Sequence, residues 1–200
     1  MTTSNAELTP AEIRRRSRQA LIVSAAEDQL AEAGIAGTTL EQVGRRVGLS
    51  KGALYYYVKG RDDLLALVLD DILEATRSRT DELLGQSTDP LHHLLCFARA
   101  HVSIVTERPA GKLIVGNVDL LAAHERSAQL LHDQEAMVRD LIQQAVVAGQ
   151  LRDIEPVVAS TVLFGALNTL CRTFNPDGPL DLATMLDEAL DLLLQGWAAE

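Results

Sequence analysis

Two cysteines, Cys96 and Cys171, in 200 residues are too few and too far apart for a disulfide framework or a zinc knuckle, so both read as buried free thiols. No apolar run approaches the roughly 18–20 residues of a membrane span. The polar, arginine-bearing start lacks the apolar core of a secretory signal, so a cytosolic protein with no membrane attachment is expected. Catalytic signatures are missing as well. There is no glycine-rich phosphate loop, no His-Glu-x-x-His and no Glu-x-x-His, which removes the usual ligands of a zinc hydrolase or a carboxylate-bridged di-iron bundle. The five histidines do not make up the deficit. His92 and His93 are neighbours that face different ways on a helix, and His101, His124 and His132 have no partner four residues away. No metal, cofactor or catalytic group is expected, and no Ser/His/Asp set can be supported by spacing. Strand alternation with turn punctuation is absent too, which leaves an all-α fold.

Aromatic residues are scarce, at 4%, and the three tyrosines stand side by side in "SKGALYYYVKGR", Ser50 to Arg61. Consecutive residues of a helix point about 100° apart, so Tyr55, Tyr56 and Tyr57 cannot all be buried. Charge is uneven in the same sense. The formal net charge is −10, yet residues 1–61 carry nine Lys/Arg against six Asp/Glu, while residues 62–200 carry nine against 22. A basic head on an acidic body is the distribution expected of a protein that touches a polyanion at one end only.

Helix signals divide the chain further. Thr9-Pro10-Ala11-Glu12 is an N-cap, a first-turn proline and a capping-box glutamate. The helix it opens carries the stripe Ile22, Ala25, Ala26, Leu30, Ala33 and stops at Gly34. Thr38-Thr39-Leu40-Glu41 reads as a second capping box, opening a short helix with Val43 and Val47 on one face and Gly48 at its end. Ser50 caps a third short helix whose buried pair is Leu54 and Val58, and Gly60 precedes a long helix over about Asp62 to Gln86. Two short helices joined at a glycine behind a longer one form a helix-turn-helix. Its second helix is the one that enters a major groove, and Tyr55, Tyr56 and Tyr57 project from the outward and flanking faces of that helix. A tyrosine there offers a hydroxyl to phosphate and a ring to sugar or a thymine methyl.

The segment "IVSAAEDQLAEAGIAGTTLEQVGRRVGLSKGALYYYVKGRDDLLALVL", Ile22 to Leu69, resembles the DNA-binding domain of the TetR family of transcriptional regulators. Several elements coincide in order: the A-A-x-x-x-L-x-E-x-G helix, the Thr-Thr start, G-L-S-K-G-A-L-Y-Y-Y, and a basic residue before an apolar helix. The resemblance implies phosphate contacts from Thr38 or Thr39, Tyr55, Tyr57 and Arg61, and base-edge contacts from Lys51, Gly52, Ala53 and Tyr56. Gly44 departs from the alanine usual in the family, which loosens the second helix by up to about 1 kcal/mol. Val58 and Arg61 replace a phenylalanine and a lysine with their roles kept.

The remainder then corresponds to the family's ligand-binding and dimerisation body. Residues 1–61 form the arm and head and residues 62–200 the body. Body helices are expected from Asp62 to Gln86, from Pro90 to about Pro109, and over Gly111–Leu121, His124–Ala148, Glu155–Phe174 and Leu180–Ala199, which makes about nine in all. The last two are apolar on more than one face, through Val157, Val158, Val162, Leu163, Phe164, Leu167, Leu170, then Leu186, Leu190, Leu193, Leu194 and Trp197. The family pairs these helices across a two-fold axis, so a homodimer on a palindromic double-stranded DNA operator is implied. The stretch from "GQLRD" at Gly149 through "NPDGPLDLATMLDEALDLLLQG" looks like members that respond to fatty-acyl or steroid-derived acyl-CoA thioesters. A small-molecule effector, an acyl-CoA or lipophilic carboxylate, is therefore implied. Phe97, Leu113, Val118, Leu121, Met137 and Leu141 are its candidate apolar lining, with His101, Asn168 and Arg172 as polar groups that fix a carbonyl or anionic end. A helical ligand carrier or enzyme with a non-functional head is the competing reading, and a regulator without an effector is another.

Overall fold

The computed structural model describes residues 9–118 and 124–197. Thr9 starts the first helix, α1 (Pro10–Gly37), with the expected capping box: the Glu12 amide donates to Thr9 Oγ1 at 3.3 Å and the Thr9 amide to Glu12 Oε2 at 2.8 Å. At Gly34 the backbone leaves the helical region, and one further turn carries the chain to Gly37. α2 (Leu40–Arg46) is capped by Thr39 with Gln42 as its reciprocal partner, one residue later than the Thr38–Glu41 box expected. The register shifts because Thr38 belongs to the end of α1, where its buried hydroxyl donates to the Gly34 carbonyl at 2.8 Å. Gly48 turns the chain with φ +64°, which favours glycine, and the Leu49 amide returns to the Gly44 carbonyl at 2.9 Å. A Cβ on Gly44 would lie 3.2 Å from the Leu49 carbonyl oxygen. Glycine there lets the turn close against α2, which offsets some of its cost in helix propensity.

α3 (Lys51–Tyr55) follows, its first turn held by the Ala53 amide donating to Ser50 Oγ at 3.3 Å. The long α4 (Arg61–Leu84) leads into α5 (Pro90–Glu107), α6 (Gly111–Val115), α7 (Glu125–Val147), α8 (Pro156–Thr173) and α9 (Leu182–Trp197). Among the described residues there are nine helices and no strand, and no helix is long and apolar enough to cross a membrane. α5 is the central helix. It packs on α4, α7 and α8, and Leu94, Phe97, Ala98, Val102 and Val105 are all buried. One apolar core runs without a seam from Ile22, Leu30, Val43 and Leu54 in the three-helix head, through Leu64 and Leu69 of α4, to Phe97, Ile142, Leu167 and Leu190 in the body.

The two-faced helices resolve into an inner and an outer set. Leu163, Leu167 and Leu170 of α8 and Leu186 and Leu190 of α9 belong to this chain's own core. Val157, Val158, Val162 and Leu192 are left at the surface, with Leu192 73% exposed.

Candidate nucleic-acid interface and ligand cavity

Leu54 and Val58 are buried, and this fixes which way the short helix α3 faces. Lys51, Gly52, Tyr55 and Tyr56 are exposed and Ala53 is half-buried. Tyr56 projects furthest, at 74% exposure, and Lys51 Nζ lies 5.8 Å from the centroid of the Tyr55 ring. Thr39, Lys51, Tyr55, Lys59 and Arg61 converge on one groove between the head of α2, α3 and the start of α4. Its floor also carries acids. Asp63 Oδ2 accepts from the Lys59 amide at 2.8 Å, and Arg61 Nε stands 3.8 Å from Asp62 Oδ1. Two residues expected here differ from the others. Thr38 is buried with its hydroxyl engaged, so Thr39 alone of the pair presents a surface hydroxyl. Tyr57 packs against the core with its ring edge-on to Tyr56, centroids 5.2 Å apart. The exposed set offers guanidinium, ammonium and phenol donors, the groups that hold a phosphate backbone, while the exposed Thr39 hydroxyl donates to Gln42 Oε1 at 2.6 Å.

A cavity of about 460 Å³ opens within the body. Leu69, Ile72, Leu73 and Thr76 of α4 form one wall, at helical spacings that share a face. Leu131, His132, Glu135 and Arg139 of α7 and Ser160, Phe164 and Asn168 of α8 form others, with His101 of α5 and Val115 and Val118 beyond. His101 is buried and its Nε2 donates to Asn168 Oδ1 at 3.0 Å, beside the rings of Phe97 and Phe164. Burial pushes the His101 pKa down to about 4, only partly opposed by the Asn168 bond, so the imidazole is neutral at neutral pH. The inner polar pair of the cavity therefore carries no charge. Arg139 and Glu135, 3.5 Å apart, supply charge elsewhere on the lining.

Of the lining residues expected from sequence, His101, Val118 and Asn168 border the cavity. Phe97 and Leu141 are buried in the core, and Leu113 and Met137 pack against it. Arg172 is exposed, with Nη2 3.4 Å from Thr169 Oγ1 and no part in the cavity. Leu121 lies outside the described residues. The α4 wall escaped sequence reasoning although its i, i+3, i+4, i+7 stripe was legible, because the same stripe serves a core equally well.

Ion pairs join the cavity's walls to the head. Arg108, just after α5, donates from Nε to Glu27 Oε1 of α1 at 2.8 Å and from Nη2 to Asp71 Oδ2 of α4 at 2.6 Å. Glu27 is buried, and these bonds and charges raise the Arg108 pKa against the effect of burial. Asp70 of α4 accepts from Ser127 Oγ at 2.6 Å and pairs with Arg126 Nε at 2.9 Å, tying α4 to α7. Burial raises the Asp70 carboxyl above its usual range despite these partners. His124 Nδ1 stands 3.5 Å from Asp63 Oδ1 at the foot of α4.

Known proteins share both the sequence pattern and the arrangement. The transcriptional repressor KstR2 of Mycolicibacterium smegmatis is 23% identical over 185 residues, covering 90% of this chain and 90% of that protein. The regulator FadR of Bacillus subtilis, solved in complex with stearoyl-CoA, superposes with a TM-score of 0.75 at 18% identity over 88% of this chain and 98% of the other. AibR, solved with isovaleryl coenzyme A and operator DNA, gives 0.72 at 19% identity over 88% and 98%. Residues 22–68 match the family described as bacterial regulatory proteins of the tetR family, and residues 87–197 match the tetracyclin repressor-like C-terminal domain. With both its head and more than half of its length matched, the chain belongs to the TetR family of transcriptional regulators.

Proposed function

We propose that this chain is a cytoplasmic, dimeric repressor whose head, residues 1–61, binds a two-fold DNA operator and whose body, residues 62–200, releases it when a small lipophilic effector fills the cavity. The observation that carries this reading is that α4 serves both sites. It begins at Arg61 beside α3, and its Leu69, Ile72, Leu73 and Thr76 wall the cavity. A ligand that prefers one position of α4 over another shifts the heads by that difference in affinity. Thr39, Lys51, Tyr55, Tyr56 and Arg61 are the residues assigned to DNA, with Gly52 and Ala53 giving close backbone approach.

The exposed apolar faces of α8 and α9 need a cover, and a second copy of the same faces supplies one in a two-fold arrangement. Val158, Val162 and Gly165 on α8 and Met185, Ala189 and Leu192 on α9 stand at i, i+4, i+7 spacings that make one stripe per helix. Two joined heads then read half-sites at a fixed separation.

The effector is an acyl-CoA or lipophilic carboxylate, as the complexes of AibR and FadR suggest. A cavity of about 460 Å³ is within the usual range for a small-ligand site. The neutral His101–Asn168 pair suits an uncharged carbonyl, and Arg139 suits the anionic end. Selecting bound fragments from the source genome's DNA and then screening acyl compounds for release tests both halves. An inverted repeat released by lipophilic carboxylates or thioesters is expected. Release by compact cationic or sugar-like compounds alone would contradict the effector class.

A further inference from the structure

The first three turns of α1 have no role in the core. From Pro10 to Leu21 only Gln19 is even half-buried, and burial begins at Ile22. At 1.5 Å per residue this is a projection of about 18 Å. It has no hydrophobic anchorage and is held by the Thr9 capping box and by good helix formers. Four arginines, Arg14, Arg15, Arg16 and Arg18, stand in it against one acid, Glu12. Among the described residues, none of the four forms an ion pair. The projection also meets the reading head. Arg14, Arg18 and Leu21, at i, i+4, i+7, line a single groove with Arg15, Tyr56 and Tyr57. A cationic row thus converges on the two tyrosines that follow α3, and the one acid in the same groove, Glu12, is engaged by the Thr9 cap.

We propose that this arginine-rich projection is a second DNA-contacting element, which holds the phosphate backbone flanking the half-site read by α3. The inference rests on the DNA-binding reading of the head. A guanidinium donates two parallel N–H bonds to phosphate oxygens and stays charged at any working pH. Contacts of this kind position the protein and carry no base information. The length of the projection corresponds to about five base-pair steps of about 3.4 Å each, so the footprint extends beyond the sequence that α3 discriminates.

The test compares the full-length chain with Arg14→Gln/Arg15→Gln/Arg18→Gln and with Arg79→Gln, which removes an exposed charge from α4 in the body. Glutamine keeps the helix propensity, and circular dichroism checks that the fold is intact. Fluorescence anisotropy follows binding to a selected operator duplex, with flanks of several base pairs or trimmed, over a range of salt. The triple variant, which removes six arginines from a bound dimer, is expected to lower the slope of log affinity against log salt by about 2–3 per protomer and about 5 in all, with binding at least on the order of 100-fold weaker at 0.1 M salt. Its preference among operator variants should persist, trimming the flanks should weaken the parent but not the triple variant, and Arg79→Gln should behave as the parent. If the parent binds operator and the triple variant keeps its slope and flank response, the inference is wrong while the reading of the head survives. If the parent binds no DNA at low salt, both fall. Loss of binding to phosphatidylglycerol vesicles with DNA binding unchanged would overturn the inference in favour of a lipid surface.

Discussion

The head and the body share one continuous core yet are built on opposite terms. The head is basic over residues 1–61 and works through helices of seven and five residues, each held by side-chain caps. The body is acidic over residues 62–200 and works through five helices of 16 to 24 residues, which with the five-residue α6 enclose a cavity. Short capped helices present a surface of fixed shape. Long helices packed around a void have alternative positions to take, because a cavity is space into which walls can move. What passes between the two regions goes through α4, through the packing of α1 on α4 and α6, and through the ion pairs of Arg108. A rigid reader and a compliant sensor coupled through one long helix and a shared core is the division of labour that switching requires.

Separating two copies of the head is the most severe way to break this arrangement. Val162→Glu with Leu192→Glu puts charges on the exposed faces of α8 and α9 while sparing Leu190, which lies in the protomer core. A monomer by light scattering is expected. Loss of the second, tethered head should weaken binding to an inverted repeat by about 100- to 10,000-fold. A dimer that survives both charges places the interface elsewhere.

Next in size is the joint between the regions. Arg108→Ala leaves the buried Glu27 carboxylate without its partner, which typically costs about 3–5 kcal/mol. Urea denaturation should show that loss, and the parent's single transition should split as the head unfolds ahead of the body. A change below about 1 kcal/mol would show that the joint carries little.

The cavity's buried polar pair gives the body a pH dependence of its own. His101 stays neutral in the folded chain down to about pH 4, whereas an unfolded histidine takes up its proton near pH 6.5. The stability this contributes is full above pH 6.5 and is lost as pH falls toward 4, by up to about 3 kcal/mol. His101→Gln should flatten that part of the stability profile. Equal slopes in parent and variant between pH 6.5 and 4 would refute the assignment.

The smallest effects separate roles within the head. Tyr55→Phe removes one hydroxyl, and a loss of about 0.5–1.5 kcal/mol spread evenly over operator variants is expected from gel shifts at fixed salt. Lys51→Ala should weaken binding and also relax base preference. No change in either variant would remove α3 from the interface.

How much of this was legible in the sequence follows the same division. In the head, capping residues and glycines bound the helices so closely that the α3 surface could be read from spacing, and Lys51, Gly52, Tyr55 and Tyr56 stand exposed. The misreadings there are local. Two adjacent threonines compete for one cap, and the end of α1 takes Thr38; Tyr57, like Tyr56, follows the last residue of α3, and its ring packs against the core while that of Tyr56 stays out. In the body an apolar residue has three destinations, core, cavity wall or outer face, and periodicity does not distinguish them. Phe97 and Leu141 went to the core, Val118 to the cavity and Val162 to the outer face. His101 and Asn168 were recoverable because polar residues on apolar helices must find partners, and they found each other. Arg139 was not, since a charge paired at i,i+4 with Glu135 reads as an ordinary solvated helix face.

One titration bears on the whole division between reader and sensor. Operator binding by the parent and by Leu131→Asn, which makes the α7 wall polar and leaves the void unfilled, is followed by anisotropy with and without a releasing acyl compound. Without the compound the two should bind DNA within about threefold of each other, as substitutions remote from an interface usually do. With it, the parent should weaken by about tenfold or more, in the range of an ordinary allosteric coupling, and the variant should not respond. Equal release of both proteins would contradict the claim that this cavity governs the head.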